Sequence, residues 1–326
     1  MAGLGSPLSI AVLGVSSIEI ALSFYRDVIG LDASEEVLWR GTEFEEHWQQ
    51  PQGSSARAVL FSAAKLPVGR ILALQFVAED RKRISQPGDR TYRGLWNLNF
   101  YVDDIRFTTK NLLSRGYNFW SVPVSYEVSA RAGQPVEVLF DGPDNVAINL
   151  VELTGNETST VGRILKEVEL LGKTPTGFTP VATTSHSVTD RSAALAFYQQ
   201  VLKMEVIIDD VLDKPETNLF LNRPEGAKTR ATFVSGNHVF GKVALSHPLN
   251  YEVPDRIADA VPPNIGYLAQ SFLIPSLSLA LEACHTVGAK LFSPQLKINL
   301  PGIGKCLAAV VRNPGSGALM QLLERR

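Results

Sequence analysis

Apolar residues along the chain follow two alternating periods. At Ile18, Leu22, Tyr25 and Ile29, and again at Leu195, Tyr198 and Leu202, they recur every third or fourth position, the spacing of one buried helix face. After the first helix come the runs EEVLWR, ARAVLFSA and ILALQFV, and after the second NFWSVPV, VEVLFDG and VAINLVEL, all rich in branched and aromatic residues and bounded by turn formers. The same order returns after a third and a fourth helix, ending in KCLAAVV and ALMQLLE. The pattern predicts four units, each a strand, a helix and then further strands.

Those units are copies. VSSIEIALSFYRDVIGL (15–31) returns as VTDRSAALAFYQQVLKM (188–204) at an offset of 173, with six of 17 positions identical. VDDIRFTTKNLLSRG (102–116) has the shape of IPSLSLALEACHTVG (274–288), with Gly116 and Gly288 placed to end their helices. FDGPDNVAINLVEL (140–153) pairs with RNPGSGALMQLLE (312–324), these two blocks sharing an offset of 172. One offset, within a residue, across three blocks indicates a duplication. Between the halves, TGNETSTVGRILKEVELLGKTPTGFTP has polar ends, one amphipathic stretch and a Pro/Gly-rich exit. The expected division is therefore an N-terminal domain at 6–155, a helical linker at 156–179 and a C-terminal domain at 180–326.

Composition narrows the partners. With 326 residues, 45% of them hydrophobic, the chain has material for two sizeable cores at roughly 100–200 residues per domain. Lys plus Arg (31) nearly balances Asp plus Glu (33) without a basic block, which argues against a nucleic-acid partner. No apolar run approaches a membrane span and the start lacks a basic leader region, so a cytoplasmic protein without a membrane partner is expected. Cys284 and Cys306 stand in no metal or redox spacing and read as buried thiols. The sequon at Asn156, Glu157 and Thr158 carries no weight without a secretion signal.

The motif A-L-x-F-Y-x-x-V after a strand, with a late Gly/Pro/Asp turn into an apolar strand, resembles the vicinal oxygen chelate superfamily of glyoxalases, bleomycin-resistance proteins and extradiol dioxygenases. The resemblance covers nearly the whole chain. It implies an α+β fold of two tandem domains, each of two βαβββ units forming a curved open barrel, and allows a homodimer. Metal-bearing members commonly take His from a first strand and Glu from a last strand. Carried over, those positions are Ile10, Ala73, Asn97 and Asn149 in the first pair of units and Thr183, Ala244, Ala269 and Gln321 in the second. None is a His or a carboxylate, so neither a metal nor another cofactor is expected.

What remains is polar chemistry without metal. Alternation places Asn97, Asn99 and Tyr101 on one strand face with Asn149 beside them, and adds Thr183, Ser271 and Gln321 in the second pair as ligand-binding candidates. Trp48, Trp96, Trp120 and Tyr126 supply aromatic surface for an aromatic small molecule. Glu137 is preferred over Glu152 as a general base, because Glu152 alternates off the Asn149 face; His247 and Lys305 are the titratable candidates of the second half. The other histidines, His47, His186, His238 and His285, read as loop, packing or surface residues. Taken together these residues point to a metal-independent lyase- or isomerase-type enzyme, with ligand sequestration and a divergent dioxygenase-like protein as alternatives.

Overall fold

The computed structural model describes residues 5–63, 66–86, 89, 91–129 and 131–326. The duplicated motif starts each half in the same way. Ser17 accepts a hydrogen bond from the Ile20 N–H and Asp190 from the Ala193 N–H, each satisfying a backbone donor at a helix N-terminus. Helix α1 (Ile18–Ala21) then widens into a π-helical turn over Leu22–Arg26, and helix α5 (Arg191–Ala196) into one over Phe197–Val201. The shared Phe-Tyr pair lies in that turn both times, and Phe24, Tyr25, Phe197 and Tyr198 are all buried.

The first unit runs β1 (Leu8–Gly14), α1, β2 (Asp32–Ala33), β3 (Val37–Arg40), α2 (Thr42–Trp48), β4 (Ser55–Ser62) and β5 (Arg70–Phe76). The second has β6 (Gly94–Tyr101), α3 (Ile105–Ser114), β7 (Val124–Ser125), β8 (Gln134–Asp141) and β9 (Ala147–Thr154). Linker helix α4 (Thr160–Leu171) follows, capped by Ser159, which accepts from the Gly162 N–H. The third unit runs β10 (Thr183–Ser187), α5, β11 (Glu205–Leu212), α6 (Pro215–Phe220), β12 (Thr229–Ser235) and β13 (Lys242–Pro248). The fourth has β14 (Gly266–Leu273), α7 (Leu277–Thr286), β15 (Lys290–Leu300), β16 (Gly304–Arg312) and β17 (Leu319–Arg325). Gly116 and Gly288 follow α3 and α7 with φ of 90° and 79°, the left-handed backbone that lets a glycine end a helix.

The four units build two curved sheets of two units each, as the resemblance implies. Their grouping differs from the sequence expectation. One sheet has the order β15-β16-β17-β14-β1-β5-β4-β2, joining units 1 and 4; the other has the order β11-β12-β13-β10-β6-β9-β8-β7, joining units 2 and 3. Antiparallel pairing of β1 with β14 and of β6 with β10 makes the two joints. All four first strands are buried although β10 (TTSHS) is polar where the other three are mostly apolar, and hydrophobic patterning alone does not select which pairs with which.

Inside each unit the first and last strands are parallel: Val12 lies beside Leu72 in β1/β5 and Asn99 beside Asn149 in β6/β9. One face of each sheet packs on the helices through the large core containing Phe24, Tyr198, Leu98 and Val243. The other face turns inward and carries Ile10, Val12, Leu72 and Ala269 in one sheet and Leu139, Ala147 and Ala231 in the other. Helices α2 and α6, inserted at equivalent places in units 1 and 3, close over these inner faces with Phe44, Trp48 and Phe220.

This grouping makes a prediction about the halves. Residues 6–155 alone contain units 1 and 2, whose partners in the sheets lie beyond α4, so β1 and β6 would each present an unpaired edge. The isolated segment is expected to elute as a dimer or larger species on size exclusion, with unit 1 of one copy joined to unit 2 of the other. A monomer melting like the full chain would contradict it.

Candidate active site

The inner face of the sheet joining units 2 and 3 gathers most of the polar residues picked out from sequence. Parallel register sets Asn99 beside Asn149, and antiparallel register sets Asn97 beside Ser185 and Asn99 beside Thr183. Asn97 Oδ1 accepts from the Ser185 N–H at 2.7 Å, beside the irregularity between Ser185 and His186. The Tyr101 hydroxyl bonds to Thr183, and the Lys242 ammonium lies 5.3 Å from the centre of the Tyr101 ring. The buried Lys242 amine donates to the Val239 carbonyl, and burial pushes it down to about 7.

Glu137 lies on this face. Its Oε1 accepts from the Tyr126 hydroxyl at 2.7 Å and its Oε2 from Asn149 Nδ2 at 2.5 Å. Burial raises the carboxyl above its ordinary range, while the Asn149 and Tyr126 donors oppose that shift. Asn149 turns its amino group to the acid, and among the described residues its Oδ1 is buried and unpartnered, as is Asn99 Oδ1. Around the site Tyr126 stacks on Phe220 with ring centres 5.3 Å apart, and Trp96 stacks on Trp120 at 6.4 Å. Glu152 is excluded from this cluster, since its Oε2 caps α3 by accepting from the Ile105 N–H.

Two of the candidate titratable groups do not join it. His247 stands opposite Arg230, one residue past the inward Ser246, and its Nδ1 faces the Val188 carbonyl at 3.1 Å. Lys305 precedes the inward Cys306 and is exposed. In both cases strand alternation carries the side chain to the other face, a placement that sequence reading of short strands does not resolve.

Ser271 and Gln321 sit together on the inner face of the other sheet. The Ser271 hydroxyl donates to Gln321 Oε1, and Gln321 Nε2 meets His47 Nε2 at 2.7 Å. His47 therefore corrects its reading as a loop residue: it is a buried member of α2, packed on Trp48 with ring centres 4.7 Å apart. The spacing Phe44, His47, Trp48 is a helical stripe that could have revealed it. Trp48 accordingly belongs to this interior and not with Trp96, Trp120 and Tyr126. Arg223 and Lys242 were missed altogether, the first because NRPEGAK has the composition of an exposed turn.

The family's metal positions also need regrouping. The register pairs Ala73 with Leu13, and both join the helix-side core; Leu72 and Leu74 face inward instead. The inner positions are then Ile10, Ala269 and Gln321 in one sheet and Asn97, Asn149, Thr183 and Ala244 in the other. Among the described residues no three of His, Cys, Asp or Glu cluster as metal ligands. Such a donor set does not fit a catalytic iron or zinc ion.

Two histidines couple the fold to pH. His186 bonds Tyr198 at 2.8 Å and Ser316 at 2.6 Å in the helix-side core, and burial pushes both His47 and His186 down to about 3. An unfolded chain protonates them near the ordinary 6.5, so between about 6.5 and about 3 it binds more protons than the folded one. Stability contributed by these residues is thus lost as pH falls through that window. A series of melts from about pH 7 to about pH 4.5 is expected to show falling Tm, with a shallower fall in His47→Gln. An unchanged slope in the variant would count against a neutral buried His47.

The comparisons agree with this fold. Residues 8–150 match the model of the Glyoxalase/Bleomycin resistance protein/Dioxygenase superfamily. Among solved structures, glyoxalase I from Zea mays is similar over 98% of this chain and 92% of its own, at 15% identity and a TM-score of 0.62. A point variant of the same enzyme gives 14% identity, the same coverage and a TM-score of 0.63. A putative dioxygenase from Bacillus subtilis subsp. subtilis str. 168 is similar over 99% of this chain and 86% of its own, at 12% identity and a TM-score of 0.56. No match is found among curated proteins. No helix among the described residues is long and apolar enough to cross a membrane. Residues 8–150 thus match the Glyoxalase/Bleomycin resistance protein/Dioxygenase superfamily model, and the whole chain shares the fold of these solved structures.

Proposed function

We propose that this chain is a metal-independent enzyme of the lyase or isomerase type, moving a proton on a small aromatic or polycyclic molecule in the interior formed by units 2 and 3. The observation that carries the reading is Glu137: a buried carboxylate held by two neutral donors, Tyr126 and Asn149, with a raised pKa. A carboxylate so placed is a stronger base than a solvated one and suits proton abstraction. The unpartnered Asn99 and Asn149 oxygens would accept from a ligand's hydroxyl or N–H. Thr183 and Tyr101 extend the polar wall, while Trp96, Trp120 and the Tyr126–Phe220 pair supply flat apolar surface.

The test is exchange of carbon-bound hydrogen for deuterium, followed by NMR, in aromatic ketones and acids incubated with the protein and a chelator in heavy water. Exchange or product formation that persists in chelator supports the reading. Activity that vanishes in chelator and returns with iron or manganese would overturn it. Sequestration is the second reading, favoured by the placement of His247 and Lys305 outside this interior, which leaves Glu137 without either as a partner. Stoichiometric binding without exchange or turnover would decide for it.

A further inference from the structure

Arg223 follows α6, its backbone N–H donating to the Asn218 carbonyl at 2.8 Å. Its side chain turns toward the inner face of the units 2 and 3 sheet. There Nη2 donates to Ser246 Oγ at 3.2 Å, and the guanidinium carbon lies 6.0 Å from the centre of the Tyr251 ring. Among the described residues Nε and Nη1 are buried without an acceptor at hydrogen-bond distance, the Tyr251 side chain being a hydrogen-bonding neighbour of the guanidinium. The guanidinium keeps its charge even though burial lowers its pKa, so these two N–H groups call for an anionic partner. The acid of this interior does not supply it, since both Glu137 oxygens are taken by Tyr126 and Asn149. Tyr126, which holds Glu137, is nevertheless within electrostatic reach of Arg223. A buried guanidinium and a buried carboxyl therefore both lie near Tyr126, which stacks on Phe220.

We propose that Arg223 anchors the carboxylate of a small aromatic acid and so presents the rest of that molecule to Glu137. The inference deepens the proposed function and rests on its choice of interior. Nε and Nη1 each form a fork only with Nη2, so a planar two-oxygen anion would take one of them together with the Nη2 hydrogen that Ser246 does not hold. A monoanion suits the charge balance better than a phosphate dianion, because one guanidinium is flanked here by one carboxylate that a second negative charge would repel. Ser246 and Tyr251 are then positioning residues that hold the guanidinium in place.

Calorimetric titration of the full chain with benzoate, methyl benzoate and phenyl phosphate tests the proposal. Benzoate is expected to bind saturably, methyl benzoate at least about tenfold more weakly, and Arg223→Gln is expected to lose benzoate by a similar factor, with Arg223→Lys between the two. Glu137→Gln should bind benzoate at least as well as the wild type, since a like charge is removed. No benzoate binding by the wild type, equal affinity for the ester, or unchanged affinity in Arg223→Gln would overturn the proposal, and so would a clear preference for phenyl phosphate. If Arg223→Gln does not fold, Arg223→Lys and the acid-to-ester comparison on the wild type still decide it. Binding that depends on Arg223 without proton exchange leaves this anchor standing and removes the acid–base reading. Exchange that depends on Glu137 with binding indifferent to Arg223 does the reverse.

Discussion

Glu137→Gln is expected to lower proton exchange or turnover by about 10²- to 10⁴-fold, the usual contribution of a positioned acid or base, with the fold retained. The amide is nearly isosteric and can still accept from the Tyr126 hydroxyl, so the stacked Tyr126–Phe220 pair keeps its place. What disappears is the site that takes a proton. Stability separates this effect from damage. Because burial raises the Glu137 pKa in the folded chain, the folded state holds its proton to higher pH than the unfolded state does. Stability therefore declines as pH rises from the ordinary carboxylate range through the raised value, and the ionised form is the less stable one above it. The variant cannot ionise, so its Tm relative to wild type should improve from about pH 4.5 to about pH 8. Lost activity with a Tm difference that does not move with pH would point to disruption of the Asn149 bond and not to loss of a base.

Trp48→Ala is the substitution with the largest expected effect on stability, about 3–5 kcal/mol. Trp48 is fully buried in α2, edge-on to Trp39 with ring centres 6.3 Å apart and to His47 at 4.7 Å. The helix closes the inner face of the sheet joining units 1 and 4, so truncation leaves a cavity that strands on both sides cannot fill by moving. It also removes packing that holds His47 against Gln321. Urea unfolding followed by fluorescence measures the loss, and Trp48→Phe should recover much of it. A loss below about 1 kcal/mol, the scale of an ordinary surface change, would mean that α2 does not form part of the folded interior.

The contrast between the two interiors explains how much of the site was legible in advance. The inward placement of Asn97, Asn99, Tyr101, Asn149 and Glu137 was legible because strands with one inward face declare it by alternation, which survives the irregularity beside Asn97. His247 and Lys305 failed on the same rule, each standing one residue from an inward position. His47 and Arg223 could not be placed by strand reasoning at all, because they reach the interiors from α2 and from the turn after α6. Their positions depend on how an inserted helix folds back over a sheet formed partly by another unit.

By itself the sequence determined the four units, the duplication, the helix caps and the inward sides of most strands, since each depends on contacts between residues near in the chain or on the period of one element. It also led to the expectation of no metal, from eight positions of which Ala73 lies in the helix-side core. Tertiary structure alone decided that unit 1 joins unit 4 and unit 2 joins unit 3, because that choice is made by backbone pairing between first strands far apart in the chain. The same choice brought Glu137 and Asn149 from one half to the interior that Thr183, Ser246 and Arg223 enter from the other, a meeting of distant residues for which local sequence carries no periodic signal.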